Sequence, residues 1–308
     1  MKEKKRWGKK FIDKRDWPKY NEELVVRGEF LIDCEWAKSW NAELAEMNKG
    51  KVGAKYEYPG SLIRLQAVWH QWIDYRGIEG VTRKLAEFGK LPACNDYSTA
   101  NRRVNGMDVK FELPFKDCCV STDGSGMKFE NAGEYRARMY GKKREKYIKV
   151  VISADPIRKK MLDCDVSIEG EGMSEPEVAT AHMQELMLKG IDVKKFFGDG
   201  SYDTLDIFAF LEHNDIEPAV KPRKNAALEG GGSLRDREVV EYRKRGYKKW
   251  AQHRDYGMRW LGTEGIFSAV KRKFGEQTRS HKIENACSEA KRKFWAYDRM
   301  KAYAEARA

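Results

Sequence analysis

Two short stretches decide the fold of this 308-residue chain: CCVST at residues 118–122, which leads into Asp123, and KFFG at residues 195–198, which leads into Asp199. Both acids are followed directly by Gly and Ser. A short, mostly apolar run bounded by small residues is typical of a buried strand. We therefore predict two neighbouring strands that each end at a carboxylate, with room beside it for a ligand.

Further strands and helices alternate around these two stretches. The β-branched run YIKVVIS predicts a strand, and apolar residues at helical spacing predict the helices. The predicted elements are a strand at 147–153, a helix at 178–188, a helix at 205–211, a strand at 216–220 and a helix at 261–274. This alternation predicts an α/β fold in which helices flank a mixed sheet.

The N-terminal part is predicted to be helical from Leu62 to about Asn105. A helix at 78–88 is followed by Gly89 and Pro92, and Asp96 can cap a short helix at 97–104. The side chains of that helix that we predict to be exposed are Ser98, Thr99, Asn101, Arg102 and Arg103. This layout is typical of a helix-turn-helix that contacts DNA, although an ordinary three-helix packing also exposes such residues.

Positive charge is concentrated in two segments. The chain has a net charge of +12; residues 1–20 carry nine Lys or Arg against three acids, and residues 221–250 carry ten against four. Clustered positive charge predicts a polyanionic partner, although a solubilising surface has the same composition. We interpret the Gly-rich segment 221–250 as a loop or arm.

Other features exclude several classes of protein. No run approaches the ~18 apolar residues of a membrane span, and the basic N-terminus has no apolar segment behind it, so a signal peptide is not predicted. The six cysteines form no CxxC pair and the five histidines are scattered, which argues against structural zinc. We interpret the cysteines as small, buried, reduced residues of a cytoplasmic protein.

A third acid can complete a site with the two strand-end carboxylates. On the helix at 261–274, Glu264 lies at the edge of the apolar stripe, and Lys271 falls nearly in line with it. Such a helix would hold Glu264 over Asp123 and Asp199. Hard divalent ions prefer carboxylate oxygens, and phosphoryl transfer commonly uses two such ions. Taken singly, these acids also suit turns or a solvated helix surface.

At these residues the sequence resembles the insertion-sequence transposases of the DDE class, whose catalytic domain has an RNase H-like fold. VSTDGSG around Asp123 and FFGDGSYD around Asp199 are similar to the first two motifs of that family. The similarity is strong over residues 117–275. It extends to YPGSLIRL, DYRGIEGVTRKLAEFG and DYSTANRRV, which look like the family's helical DNA-binding region.

The third region, YGMRWLGTEGIFSAVKRKFG, resembles one branch of the family in particular. That branch carries Tyr, two residues, Arg, three residues, Glu, six residues and Lys, and Tyr256, Arg259, Glu264 and Lys271 follow this order. Four residues, instead of three, separate Arg259 from Glu264. On one continuous helix this would turn Arg259 about 100° out of line.

The resemblance implies a DNA transposase that cuts element-end DNA and joins the freed 3′-hydroxyl to target DNA. The implied ligands of two Mg²⁺ ions, with Mn²⁺ as a substitute, are Asp123, Asp199 and Glu264. The implied contacts to DNA phosphates are Tyr256, Arg259 and Lys271. Double-stranded DNA is the implied partner, and joining two ends implies at least a dimer in a nucleoid-associated complex.

We predict three regions: a helical DNA-binding region at 1–110, a catalytic domain at 111–280 that includes the basic arm, and a C-terminal helix at 281–308. Two other functions remain open. An RNase H-like nuclease would cut DNA without joining it, and a helix-turn-helix regulator would bind DNA without any carboxylate site. A decayed copy of a transposase is a further possibility, although all three acids are present.

Overall fold

The computed structural model describes residues 16–129, Met139 and residues 147–307. Most of the first basic segment, residues 1–15, therefore lies outside the described residues. The α-helices are α1 (Trp17–Glu29), α2 (Trp40–Asn48), α3 (Gly60–Trp69), α4 (Tyr75–Glu87), α5 (Tyr97–Asn105), α6 (Glu175–Leu188), α7 (Leu205–His213), α8 (Leu234–His253), α9 (Met258–Gly262), α10 (Glu264–Phe274) and α11 (Ile283–Glu305). The strands are β1 (Asp117–Phe129), β2 (Ile148–Asp155), β3 (Lys160–Ile168), β4 (Asp192–Gly198), β5 (Glu217–Val220) and β6 (Gln277–Thr278).

A mixed sheet forms the centre of the fold. Its strand order is β3-β2-β1-β4-β5, in which β1, β2 and β3 are antiparallel and β4 and β5 run parallel to β1. The short strand β6 pairs in parallel with the far end of β1, at Lys128 and Phe129. The predicted mixed sheet, flanked by helices and preceded by an all-helical region, is confirmed.

Strand β1 is longer than its sequence predicts. The prediction ends the strand at Asp123, but β1 continues to Phe129, so Asp123 lies in the middle of the strand. The reason is the neighbouring strand: residues 124–126 pair with residues 149–151 of β2, and these antiparallel hydrogen bonds outweigh the weak strand preference of glycine. A strand that ends at Asp123 is therefore wrong, whereas the predicted end of β4 before Asp199 is correct.

Two strands are missing from the prediction. In β3, KMLDCDVSI, acids alternate with apolar residues, as expected of a strand with one buried face. Its whole length pairs with β2. The other missing strand, β6, has two residues, too few for any pattern to be read.

Helices cover both faces of the sheet. On one face α6 and α7 pack on β1 and β4, in a cluster that includes Val120, Met183, Phe196 and Phe208. On the other face α10 and α11 pack on β2 and β3, in a cluster that includes Val150, Met161, Val270 and Phe294. Of the six cysteines predicted to be buried, Cys118 and Cys164 are buried and the other four are half-buried.

The N-terminal helices share a core with the sheet. Ile63 and Val68 of α3 and Val104 of α5 belong to the same buried cluster as α11 and β2. Buried Arg292 of α11 donates to the carbonyl oxygen of Val104 at 3.2 Å and to Oδ1 of Asn105 at 2.9 Å. Helix α11 therefore lies between the N-terminal helices and the sheet, while the predicted domain boundaries at residues 110 and 280 stay predictions.

Helices α3, α4 and α5 match the helices predicted between residues 62 and 105. Asp96 caps α5 as predicted, because its Oδ1 accepts hydrogen bonds from the backbone N–H groups of Ser98 (2.8 Å) and Thr99 (2.9 Å). Helices α1 and α2 are absent from the prediction. Neither has a wide apolar stripe, and Leu24 and Val25 of α1 are exposed.

The second basic segment is largely helical. Residues 221–250 are interpreted above as a loop or arm, but α8 begins at Leu234. The helix starts there because Ser233 caps it, accepting a hydrogen bond from the backbone N–H of Asp236 at 3.2 Å. It is kinked at Gly246, whose φ of 70° suits glycine. Exposed basic residues surround the kink: Arg243, Lys244, Arg245, Lys248 and Lys249.

Candidate active site

Asp123 and Asp199 lie beside each other on neighbouring parallel strands. The last paired residues of β1 and β4 are Ser121 and Phe197. Each acid lies two residues beyond its paired residue, so both side chains point to the same face of the sheet. Strand β4 ends at Gly198, whereas β1 continues past Asp123. The two carboxylates therefore meet at an open notch in the sheet, where β4 stops.

The residues that follow β4 hold Asp199 in place. Its Oδ1 accepts hydrogen bonds from the backbone N–H of Ser201 at 2.7 Å and from the hydroxyl of Ser201 at 2.6 Å. Tyr202 is fully buried, and its ring packs on Phe196 at 5.6 Å. A Cβ at Gly198 would lie 2.8 Å from the Cβ of Tyr202, so the position needs glycine. The FFGDGSY pattern is thus explained by one tight turn that presents Asp199.

A buried ion pair supports the same turn, and sequence reasoning did not identify it. Asp203 is completely buried and binds Arg235 of α8, with 2.7 Å between Oδ1 and Nε. Oδ2 of Asp203 also accepts a hydrogen bond from the backbone N–H of Arg223 at 2.8 Å. Asp203 therefore ties the Asp199 turn to α8. Its position within the FFGDGSYD motif is the only signal for it in the sequence.

Glu264 is presented by a break between two helices. Helix α9 ends at Gly262 and α10 begins at Glu264, with Thr263 between them. A Cβ at Gly262 would lie 3.1 Å from the Cβ of Ser121, so this glycine allows α9 to pack closely on β1. The break changes the geometry expected from the extra residue between Arg259 and Glu264, because the two residues do not share one helix.

Arg259 links two of the three acids. Its guanidinium lies 3.5 Å from Oδ2 of Asp123 and 3.4 Å from Oε1 of Glu264. The side chain is 8% exposed, and its Nε has no hydrogen-bond partner among the described residues. Trp260 lies beside it, with the guanidinium 5.2 Å from the ring centroid. Arg259 thus occupies the position where a cation neutralises Asp123 and Glu264.

Tyr256 is buried behind Arg259. Its ring packs on Trp250 at 5.1 Å, and the guanidinium of Arg259 lies 5.8 Å from its centroid. Burial raises the pKa of its hydroxyl to about 12, against a smaller lowering by Arg259. Tyr256 therefore supports Arg259 from within the protein.

Burial raises the pKa of two acids of the site, Asp123 and Glu264. Burial raises the pKa of Asp123; Arg259 lowers it in part, and Asp199 raises it again. Burial likewise raises the pKa of Glu264, with Arg259 lowering it and Asp123 raising it. One guanidinium does not compensate the carboxylates gathered here, and a divalent cation would favour their charged forms.

A fourth acid, Glu175, lies at the same notch, and sequence reasoning did not identify it. Glu175 is the first residue of α6, whose N-terminus is fixed by a capping box between Ser174 and Glu177. Its Oε2 accepts a hydrogen bond from the hydroxyl of Tyr202 at 3.5 Å. Burial raises the pKa of Glu175, and Asp123 and Asp199 raise it further.

Lys271 lies on the site side of α10. Its Nζ donates a hydrogen bond to the hydroxyl of Ser125, two residues beyond Asp123 on β1, at 2.9 Å. Lys273 faces elsewhere, with its Nζ 5.7 Å from the centroid of the Trp72 ring. This arrangement agrees with the helical spacing between Glu264 and Lys271.

Of the five residues of α5 predicted to be exposed, Ser98, Asn101 and Arg102 are exposed, and the prediction is wrong for Thr99 and Arg103 because both contact neighbouring residues. Thr99 is half-buried, and its hydroxyl donates to Asp96 at 2.8 Å. Arg103 is also half-buried; its guanidinium lies 4.7 Å from the centroid of the Tyr56 ring and donates to the carbonyl oxygen of Tyr58 at 3.3 Å.

The donor set fits a divalent ion, although Arg259 now lies within it. In the part of the chain that the structure describes, no three His, Cys, Asp or Glu side chains are grouped closely enough to hold a metal ion as they stand. Carboxylates are the ligands that Mg²⁺ and Mn²⁺ prefer. The guanidinium between Asp123 and Glu264 already supplies positive charge there. An ion bound between Asp123 and Glu264 would occupy the place that the Arg259 guanidinium takes here.

Comparison with known proteins identifies the family. A family model described as the transposase DDE domain matches residues 114–307. This match covers more than half of the chain, and the chain therefore belongs to the DDE transposase family, with an RNase H-like fold. No curated protein matches the chain. Members of this family act on DNA and generally use divalent metal ions. None of the described helices is long and apolar enough to cross a membrane.

Proposed function

We propose that this transposase cuts DNA at the ends of its element and joins the freed 3′-hydroxyl to target DNA, with two Mg²⁺ ions held by Asp123, Asp199 and Glu264. The observation that carries the proposal is the notch where β4 ends, at which Asp123 and Asp199 lie side by side and Arg259 links Asp123 to Glu264. Phosphoryl transfer uses divalent ions held by carboxylates and basic groups that bind the phosphate. Both kinds of group are present at the notch.

Each group has a distinct task in this reaction. Divalent ions, when bound, activate the attacking oxygen and offset the charge of the transferred phosphate. Asp123 and Asp199 hold this cation site on the sheet, and Glu264 closes it from α10. Arg259 moves from the carboxylates to a DNA phosphate. Lys271 positions the phosphate from the Ser125 side, since a fixed ammonium helps to align it for in-line attack.

The test is a pair of assays with the DNA that flanks the gene. Purified protein and Mg²⁺ should nick the labelled element ends, and pre-cleaved ends should be joined to a target plasmid. Cutting without joining would favour the nuclease alternative. Binding without cutting in either Mg²⁺ or Mn²⁺ would favour a non-catalytic DNA-binding protein.

Replacing Lys271 with Ala is expected to slow strand transfer by about 10²-fold, because one positioning charge at a phosphoryl-transfer site contributes on that order. Lys271→Arg should recover only part of the loss, because the planar guanidinium keeps the positive charge but not the compact shape of the ammonium group. The assay is joining of pre-cleaved ends under single-turnover conditions. Lys273→Ala is the matched control, because Lys273 faces Trp72. Equal losses in the two Ala variants would mean that the basic cluster acts only through diffuse charge.

We also propose that the N-terminal region, residues 1–110, contacts element-end DNA through α5. Ser98, Asn101 and Arg102 are exposed, and side chains of these types bind bases and phosphates. The basic residues around the kink of α8 offer a second phosphate-binding surface. Two ends joined in one event need at least a dimer in the DNA complex.

Arg102→Ala in the full-length chain is expected to weaken binding to element ends and to lower the slope of log affinity against log salt by about 1, since one phosphate contact is lost. Mobility-shift titrations at several salt concentrations measure this slope. Arg83→Ala removes the same charge from α4, where Arg83 is exposed and pairs with Glu79. If both variants change the slope equally, α5 has no particular role in the contact.

A further inference from the structure

The notch at Asp123 is open to both faces of the sheet. Beyond the pair of Ser121 and Phe197, β4 no longer borders β1. A group on either face can therefore reach past the end of β4. Glu264 and Arg259 approach the notch from the α9–α10 face, as the hydrogen bond of 3.4 Å from the Ser121 hydroxyl to the Arg259 carbonyl oxygen indicates.

Helix α6 approaches the same notch from the opposite face. The hydroxyl of Thr122 bonds that of Ser153 at 2.7 Å, and Ser153 bonds Nδ1 of His182 on α6 at 2.8 Å. Side chains alternate along a strand, so Thr122 and Gly124 face α6 while Asp123 faces α9 and α10. Glu175, the first residue of α6, therefore meets β1 at Gly124.

The carboxylate of Glu175 is fitted against the strand. A Cβ on Gly124 would lie 2.7 Å from Cδ of Glu175, so an alanine here would push this carboxylate out of its position. The buried Tyr202 hydroxyl donates to it from the Asp199 turn. The nearby Lys149 ammonium donates to the carbonyl oxygen of Met173 at 2.5 Å. Among the described residues no cation forms an ion pair with Glu175, and the charge of Lys149 lowers the pKa of Glu175 only in part, against the raising effects of burial, Asp123 and Asp199.

The site also holds an unpartnered polar group and unequal numbers of acids and bases. Asp123 and Asp199 lie near enough to Glu175 to raise its pKa, while Arg259 is the one cation that pairs with Asp123 and Glu264 among the described residues. Arg259 is 8% exposed and its Nε has no partner there. Burial of carboxylates without compensating charge is costly. A multivalent cation at the notch would remove that cost, and carboxylates from both faces of the sheet could contact it.

We propose that Glu175 is a fourth carboxylate ligand of the divalent-ion site, holding the ion from the α6 face while Asp123 and Asp199 hold it from the strand ends. The inference rests on the proposed metal-dependent function. It assigns Gly124 a specific purpose, which is to leave space for the Glu175 carboxylate. Hard divalent ions take six or more oxygen ligands, so a fourth carboxylate is compatible with their coordination.

The experiment is Mn²⁺ binding to the full-length protein without DNA, followed by the electron paramagnetic resonance signal of free Mn²⁺. Glu175→Gln should raise the dissociation constant by about 10-fold or more, in line with the usual loss on removing a metal-site group. Glu185→Gln is the matched control, because it makes the same change on the same helix at a residue that pairs with Lys189 at 3.2 Å. It should bind Mn²⁺ as the wild type does.

A second variant tests the geometry without removing the carboxylate. Gly124→Ala should displace Glu175 and weaken Mn²⁺ binding similarly, and the double variant should lose little more than either single variant. Circular dichroism in EDTA checks that each variant folds. If Glu175→Gln does not fold, the Mn²⁺ dissociation constant of Gly124→Ala tests the inference in its place.

Three outcomes would overturn the inference. In the first, Glu175→Gln binds Mn²⁺ within twofold of the wild type. In the second, Glu185→Gln loses as much affinity as Glu175→Gln. The third outcome concerns the metal site itself, which Asp123→Asn tests. If Asp123→Asn binds like the wild type, the proposed metal site fails and Glu175 fails with it; if only Asp123→Asn is impaired, the metal site stands without Glu175.

Discussion

Asp123→Asn, Asp199→Asn and Glu264→Gln are each expected to reduce DNA cleavage and joining by about 10³-fold or more, since loss of one electrostatic group from a preorganised site already costs on the order of 10²–10³. Each change keeps the shape of the side chain and removes its charge. Binding to element ends should remain, because phosphate contacts come from the basic surfaces. Single-turnover cleavage in Mg²⁺ and mobility shifts in EDTA measure the two effects separately.

Asp206→Asn is the control for these variants. Asp206 is exposed in the first turn of α7, seven residues after Asp199. Its activity should equal that of the wild type. A variant at Asp123, Asp199 or Glu264 that cuts at a near-normal rate would remove that residue from the site.

Asp203→Ala is expected to lower the free energy of unfolding by about 3–5 kcal/mol, the usual cost of leaving a buried charge without its partner. Arg235 would remain buried, with 9% of its side chain exposed, and its Nε would lose the bond to Asp203. The turn that carries Asp199 would loosen as well, so activity should fall together with stability. Urea unfolding followed by circular dichroism measures the change.

The control for Asp203 is an exposed acid in an ion pair. Glu35 pairs with Lys38, and 72% of its side chain is exposed. Glu35→Ala should change the unfolding free energy by no more than about 1 kcal/mol. A double variant, Asp203→Leu with Arg235→Met, should be more stable than Asp203→Ala, because no buried charge is left. If it is no more stable, the loss in Asp203→Ala reflects packing and not charge.

The local pattern around Asp199 was sufficient to predict its place, whereas that around Asp123 was not. The apolar run before Asp199 ends where β4 ends, and in the described part of the chain the pairing of β4 with β1 and β5 stops at Phe197 and Gly198. The run before Asp123 ends in glycines that usually stop a strand, but β2 provides hydrogen bonds along residues 124–126. Strand length there depends on a partner more than twenty residues away, which composition within one segment does not reveal.

The acids of the candidate site also differ in how far the sequence alone reveals them. Asp123, Asp199 and Glu264 lie in patterns that can be recognised in the sequence. Glu175 lies in SEPEV, an ordinary start of a helix, and acquires its surroundings only when α6 packs beside Gly124. Arg259 reaches both Asp123 and Glu264 only because α9 and α10 are separate helices. The angle calculated for one continuous helix therefore does not apply to Arg259.

The position of α11 has a consequence for the turnover of incomplete chains. Residues 283–305 cover the apolar side of α3 and α5 and pack on β2 and β3. Near the end of α11, the hydroxyl of Tyr303 donates a hydrogen bond at 2.6 Å to Asp33, which lies 270 residues earlier in the chain. A polypeptide interrupted before residue 283 would leave Ile63, Val68 and Val104 in water. Such fragments are substrates for proteases and chaperones. Damaged copies of the gene would therefore yield short-lived products, which would not accumulate to compete with the intact protein for DNA ends.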